Sequence, residues 1–470
     1  MKVKSIKVNA ILNIIYTITN MIFPLVTFPY VSRILLAEGM GKVSFFTSVS
    51  NYAIMVGALG ISTYGIRTVA KARADEDELN RVTMELLIIN TLATLSVVIA
   101  LLLLIPVVEK FRIDFILYII NIIIIITAPI GLNWLYSGLE QYEYITKRTI
   151  VFKTISIMLV FILVKEKKDY PMYAAITAFS TIGAYVCNFL YARKFVTFHF
   201  YKGLRYKRHY KPMLLLFASI LAVHVYTNLD TIMLGFLCGD IEVGLYTIAV
   251  KIKWLLLSVV NAISAVLLPR LSFYLSEKNT DEYKRILKKS VSIIFFISIP
   301  LTIFFIIEAR DSILLLGGAD YIDAVMCMKI IMPILVISGF SNITGNQILV
   351  PHGKDSAFMT AVVIGAIVDI FLNAFLMPVW GCTGAAVATL LAEMTQMSIQ
   401  LYYAKAMIVK SINFKTIYKF ILSALVACFI VIVVRKIIDI NAFVNLAITF
   451  TIYFGVYVGI IALFNLQAKS

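Results

Sequence analysis

Residues 115–126 read FILYIINIIIII, and this stretch decides the fold. The run Ile122–Ile126 is apolar on every side, as a lipid-facing helix should be, and it does not alternate as a barrel strand must. Continued to residue 138, the stretch is about as long as a helix crossing a hydrocarbon core. Comparable runs recur along the chain, among them Leu101–Leu104. They place spans at 8–36, 43–66, 83–107, 115–138, 149–165, 170–192, 212–235, 243–268, 290–308, 324–349, 355–378, 382–404, 416–434 and 441–465. The expectation is an all-α membrane protein with about fourteen transmembrane helices. The least regular span, 149–165, is short and carries Lys153.

Composition agrees. The chain of 470 residues is 61% hydrophobic and 14% charged, and its mean hydropathy is +0.93. A soluble protein of this size needs more polar surface to cover itself. The net charge of +16 does not point to nucleic acid, because the basic residues sit in short loops between spans. Five cysteines lie in or beside spans without CxxC spacing, and four histidines are scattered, so neither a disulfide framework nor a metal site is expected. Lys2, Lys4 and Lys7 precede an apolar run that continues to about Leu36 with no small-residue cleavage site, which reads as a first span rather than a signal peptide.

Loop charges give orientation. With the N-terminus inside, the inner segments hold Lys2, Lys4 and Lys7, the Arg67–Arg81 group, Lys147 and Arg148, and the basic loop 193–211. The 270–289 group and the 405–419 group also fall inside. Basic residues then favour the inner side by about three to one, which is the positive-inside pattern and leaves both termini cytoplasmic.

The chain also repeats itself. Glu38-Gly39-Met40-Gly41-Lys42-Val43 follows the first span, and Glu242-Val243-Gly244-Leu245-Tyr246 follows the seventh. Aligning Gly41 with Gly244, 203 residues apart, superposes spans one and two on seven and eight. A weaker echo links Asn133–Gln141 with Asn346–Lys354. The expected organisation is an N-terminal lobe at 1–192, a basic cytoplasmic linker at 193–211, a C-terminal lobe at 212–404 and a helix pair at 405–470. Six spans per lobe is an even number, so the lobes repeat in parallel about an axis along the membrane normal, with substrate between them.

At these residues the sequence resembles the polysaccharide transporters of the multidrug/oligosaccharidyl-lipid/polysaccharide (MOP) superfamily, the Wzx-type repeat-unit flippases. The resemblance rests on Pro29-Tyr30-Val31-Ser32-Arg33-Ile34-Leu35, the two turns above, and Asn133-Trp134 with Gly138-Leu139-Glu140. Its most specific piece is Gly381-Cys382-Thr383-Gly384-Ala385-Ala386-Val387-Ala388-Thr389 with Glu393. Val43 departs from the tyrosine usual in the family's first turn. The resemblance implies a MATE-like two-lobed fold that moves an undecaprenyl-pyrophosphate-linked oligosaccharide from the inner to the outer leaflet of a bacterial cytoplasmic membrane. Alternating access coupled to a proton or sodium gradient is implied as well. Expected partners are the lipid-linked substrate, the bilayer, and a glycan polymerase with its assembly proteins. The chain is expected to act as a monomer, without a cofactor, catalysis or nucleic acid.

A diphosphate crossing the bilayer requires cationic groups, and a glycan requires polar and aromatic ones. Lys251 and Lys253 lie within span eight, and being two apart they point to nearly opposite sides. One reading pairs Lys251 with Asp230 and leaves Lys253 facing the cavity. The other joins both lysines and Asp230 in a structural ion cluster. Arg33 and Arg67 are further substrate candidates, each also readable as an interfacial anchor. Lys153 reads as an interfacial snorkel. Polar residues of span one (Asn13, Tyr16, Thr17, Asn20, Thr27) and Asn51 with Tyr52 on span two form a candidate cavity lining, and Pro24 and Pro29 permit span one to bend. Asp369, Asn373 and Glu393 fall near mid-depth in spans eleven and twelve. They read either as a proton or sodium site or as a hydrogen-bonded packing network beside Gly381 and Gly384.

Competing functions are a MATE-like drug or cation exporter and a lipid II flippase, which share the fold. A membrane glycosyltransferase or polymerase typically presents a large outer loop; here the longest is about Ala309–Asp323. The chain has no nucleotide-binding glycine loop, so ATP-driven export is not expected.

Overall fold

The computed structural model describes residues 6–199, 203–437 and 441–467, and every regular element among them is helical. In a bilayer each backbone N–H and C=O needs a partner within its own segment, and the helix supplies it. Nine helices among the described residues are long and apolar enough to span a membrane, and the bent pair Val26–Ala58 and Ile61–Ala72 makes a tenth. This is a multi-pass helical membrane protein. Contacts divide the chain into two compact units, Met1–Asn228 and Leu229–Ser470.

Several expected spans differ in detail. The second bends by 42° at Leu59 and Gly60, both with positive φ, because Gly60 lies under the backbone of Met213 and Phe217, where no side chain fits. The 115–138 span is a helix, a 3₁₀ turn at Ala128–Gly131 and a short helix from Asn133. The 324–349 span breaks near Pro333 and ends in a π-helix, Ile343–Leu349. Asn13 and Pro24, singled out in the first span, have side chains outside the described residues.

Asp355–Ile408, 54 residues long, would extend about 80 Å if straight. It is interrupted at Gly381 (φ 54°, ψ −133°), where it doubles back. A Cβ on Gly384 would lie on the carbonyl of Leu376, and one on Gly365 would lie 3.3 Å from Gln396. The two halves therefore run antiparallel at close range, which is why glycines occupy these positions. The Glu242 carboxylate caps the break, accepting the Cys382 N–H at 2.6 Å. A Cβ on Gly381 would collide with that carboxylate. Gly381→Ala is therefore expected to destabilise the protein by about 1–3 kcal/mol, read as a lower unfolding midpoint in detergent.

In the first unit the described residues of 193–211 are strapped down rather than loose. Asn80 accepts the Thr197 N–H at 2.9 Å. Glu85, almost fully buried, accepts the Arg205 N–H at 2.5 Å, the Arg208 guanidinium at 2.7 and 2.9 Å, and shares a 2.6 Å bond with His209. Tyr64 reaches the other ring nitrogen of His209 at 2.9 Å. Glu85→Ala strips three partners at once and is expected to cost about 3–5 kcal/mol. Limited proteolysis should then cut within 193–211 faster than in the parent.

In the second unit the helices Phe414–Ile437 and Ala442–Gln467 pack on each other and on Thr280–Ile307. Phe304, Phe420, Val431, Tyr453 and Tyr457 form that core. At one end Arg435 and Asn445 hold Asp311 at 3.0 and 2.5 Å.

Candidate functional site

Each unit holds a polar cluster that bears on function. In the second unit, Asp230 stands on the Lys207–Leu237 helix, with Tyr246 and Lys253 on Asp240–Ser276. The two arms of the Gly381 hairpin supply Asp369 with Asn373, and Thr389 with Glu393. Asp230 accepts from Tyr246 Oη at 2.6 Å, Asn373 Nδ2 at 2.8 Å and Thr389 Oγ1 at 3.0 Å. Asp369 is fully buried beside Asp230, and neither of its carboxylate oxygens accepts a hydrogen bond. Glu393, Asp230 and Asp369 are the carboxylates near enough to Lys253 to act on its charge.

Three buried carboxyl groups thus lie in the neighbourhood of one buried ammonium, without a direct ion pair to it. Fully ionised, they would leave uncompensated negative charge in a low-dielectric interior, an arrangement that a proton or a bound cation relieves. The oxygen-rich set of Asp230, Asp369, Asn373 and Thr389 is chemically suited to a hard cation. Below it runs a buried polar stripe at helical spacing, Thr389, Glu393, Gln396 and Gln400. Gln400 Oε1 accepts from Ser341 and Thr344 at 2.8 Å each.

In the first unit a cavity of about 150 Å³ opens among the helices Ile6–Ala58, Tyr142–Leu163 and Tyr170–Ala192. A single water needs only about 10–15 Å³. Arg148, Thr149, Phe152 and Lys153 line it from one face of Tyr142–Leu163, a consequence of their spacing. Tyr16 and Asn20 line it from the first helix. Arg148 is braced: Asn188 Oδ1 accepts its guanidinium at 2.5 Å and Thr149 Oγ1 at 3.1 Å. Asn188 is itself fixed by donating to Gly131 O and, at 3.1 Å, to Asn133 Oδ1. Arg148 Nε is buried with no acceptor. Lys153 Nζ lies over the Phe23 ring, 4.3 Å from its centre. None of the described carboxylates pairs with Arg148 or Lys153.

The placement of the expected site residues follows from these two clusters. Asp230, Asp369, Asn373, Glu393 and Lys253 come together. The hydrogen bonds drawn to Asp230 come from Tyr246, Asn373 and Thr389, and the lysine set among the carboxylates is Lys253, not Lys251, which is half-buried on the same helix. Lys253 is only 6% exposed, so it does not face an open cavity. Asn20 joins the first-unit cavity. Arg33, Arg67 and Asn51 are exposed and Tyr52 half-buried, all outside that lining. The sequence reading missed Arg148, taken as a loop charge, and Lys153, taken as a snorkel. The i, i+4 spacings of Arg148 with Phe152 and of Thr149 with Lys153 are the available signal. Tyr246 and Thr389 were missed as partners of Asp230, because their union needs three helices.

The fold is shared with several solved helical membrane proteins. It matches a solved lipid II flippase MurJ in an inward closed conformation with TM-score 0.81, at 15% identity over 98% of this chain and 100% of the other. It also matches an inward-facing multidrug resistance MATE family transporter with TM-score 0.65, at 14% identity over 84% and 94% of the two chains. A model of the polysaccharide biosynthesis protein family matches residues 6–275, more than half the chain, and the protein belongs to that family. The lipid II flippase MurJ model matches residues 243–457. Among curated proteins, a "Putative O-antigen transporter" of Escherichia coli (strain K12) is 25% identical over 82% of this chain and 94% of its own length.

Proposed function

We propose that the protein is a flippase that carries undecaprenyl-pyrophosphate-linked oligosaccharide repeat units from the inner to the outer leaflet of a bacterial cytoplasmic membrane, for surface polysaccharide synthesis. The observation that carries this reading is the first-unit cavity, where Arg148 and Lys153 line polar space with no described carboxylate to neutralise them. Two half-buried cations with no described carboxylate beside them form a receptor for a polyanion, and the diphosphate is the charged part of such a substrate. Tyr16, Asn20 and Tyr185 give the same cavity groups suited to the first sugar. Arg33, Arg67, Asn51, Tyr52 and Lys251 are assigned to the wider path of the glycan. The carboxylate cluster of the second unit serves as the coupling-ion site.

Fourteen spans, cytoplasmic termini and a rocking pair of six-helix lobes belong to this proposal. Supporting the repeat, positive φ occurs at Leu36 and at Gly239, the 203-residue offset that aligns the two turns. It also occurs at Glu140 and Gly353, the offset that aligns Asn133 with Asn346. Deleting the protein should accumulate repeat units on the inner leaflet, protected from a membrane-impermeant glycosidase. Normal outward exposure would refute the assignment. The match of 243–457 to the lipid II flippase model favours a second reading, lipid II as cargo. Rescue of a strain depleted of its lipid II flippase would select it.

A further inference from the structure

A second hollow, away from both clusters, lies where the C-terminal helix pair meets Thr280–Ile307. Its volume is about 280 Å³. Phe296, Phe420, Ile461 and Phe464 give it apolar walls, and Ser292 and Thr416 bring hydroxyls to it. Lys419 stands half-buried at its edge with its ammonium 5.3 Å from the centre of the Phe464 ring. Lys415 lies one turn before Lys419 on the same helical face, and Lys288 and Lys289 lie one turn before Ser292, all exposed. Apolar walls, two hydroxyls and a half-buried lysine therefore meet in one groove, with further lysines one turn away on two of its helices.

We propose that this groove is a site for one anionic bilayer phospholipid, with its phosphate on Lys419, Thr416 and Ser292 and an acyl chain along Phe296, Phe420 and Ile461. The charge selects the occupant. An acyl chain alone would need no lysine at the rim, and a free phosphate would need no aromatic wall. Lys419 already rests on the Phe464 face, so its cationic head is held at the mouth of the groove. The inference rests on the proposed cytoplasmic placement of this end, where anionic lipids concentrate, and not on the identity of the glycan. A lipid seated there would brace the helix pair against Thr280–Ile307.

The test uses the full chain purified in detergent and titrated with phosphatidylglycerol or phosphatidylcholine, with adducts counted by native mass spectrometry. One phosphatidylglycerol should be retained at least fivefold more strongly than phosphatidylcholine. Lys419→Ala should weaken it about tenfold and Lys419→Arg should preserve it. Ile461→Trp, which fills the groove while keeping Lys419, should also remove it. Unfolding midpoints of the lipid-free variants check folding. Equal retention of both lipids, or no change in Lys419→Ala and Ile461→Trp, overturns the proposal. So does equal binding of inorganic phosphate, which would make the site one for a free anion. Displacement by undecaprenyl phosphate at lower concentration than by phosphatidylglycerol also overturns it, assigning the groove to the transported lipid. Glycan export measured in the same variants separates this outcome from failure of the flippase reading, since loss of lipid binding should leave export running.

Discussion

Lys153→Ala should lower glycan export by about 10- to 100-fold in cells that hold normal amounts of the protein. A hydrogen bond to a charged group contributes about 1.5–3 kcal/mol, and each 1.4 kcal/mol is tenfold. The substitution is informative because the structure ties Lys153 to little else: its ammonium rests on Phe23 and pairs with no described carboxylate. Thermal stability should therefore change little while export falls. Arg148→Ala should be more severe, about 100-fold or greater. It removes the second cation and also frees Asn188, which braces Gly131 and Asn133. Arg148→Lys separates these effects, since it restores charge without the planar fork. Export should recover in part and stability should remain below the parent. The measurement is surface polysaccharide in a deletion strain, normalised to membrane-inserted protein. Parental export by Lys153→Ala and Arg148→Ala would remove the diphosphate role from this cavity.

The two aspartates of the second unit should behave in opposite ways. Asp230→Ala strands the Asn373 amide in a buried site and leaves the Tyr246 hydroxyl only Thr389 Oγ1 as a partner, and a stranded donor costs about 1–3 kcal/mol. The variant should accumulate poorly, with a much lower unfolding midpoint. Asp369→Asn removes a carboxyl whose oxygens accept no hydrogen bond, so its fold should survive. What it should lose is dependence on the ion gradient: transport in vesicles should no longer respond to an imposed proton or sodium gradient. A gradient response equal to the parent would assign the cluster to packing alone. The same pair of variants thus separates the two readings that the sequence left open for Asp369, Asn373 and Glu393.

The structure explains why some of this was legible in the chain and some was not. Asp369 with Asn373, and Glu393 with its polar neighbours, lie on single helices, where spacing alone places side chains on one face. They were visible as a pair of candidates. Their union with Asp230 and Tyr246 was not, because it depends on which face each of three helices turns inward. Lys253 shows the same limit. Its depth could be counted from the end of its span, but one helix does not say whether a lysine meets a cavity or a carboxylate. Arg148 was misread because it stands beside a loop in sequence, while its helix, beginning at Tyr142, already holds it within the bundle.

What the sequence by itself determined was the material of the protein. Runs like FILYIINIIIII admit one solution in lipid, a helix whose backbone satisfies itself, so class and approximate spans follow from local composition. Glycine placement also carried its meaning locally: Gly381 and Gly384 mark a hairpin that no side chain could enter. Only the tertiary structure decided how charge is distributed, gathering three buried carboxyls near Lys253 and leaving Arg148 and Lys153 without a described one. Buried charges act through space over a few ångströms, and in a helical bundle those distances are fixed by packing between segments far apart in the chain.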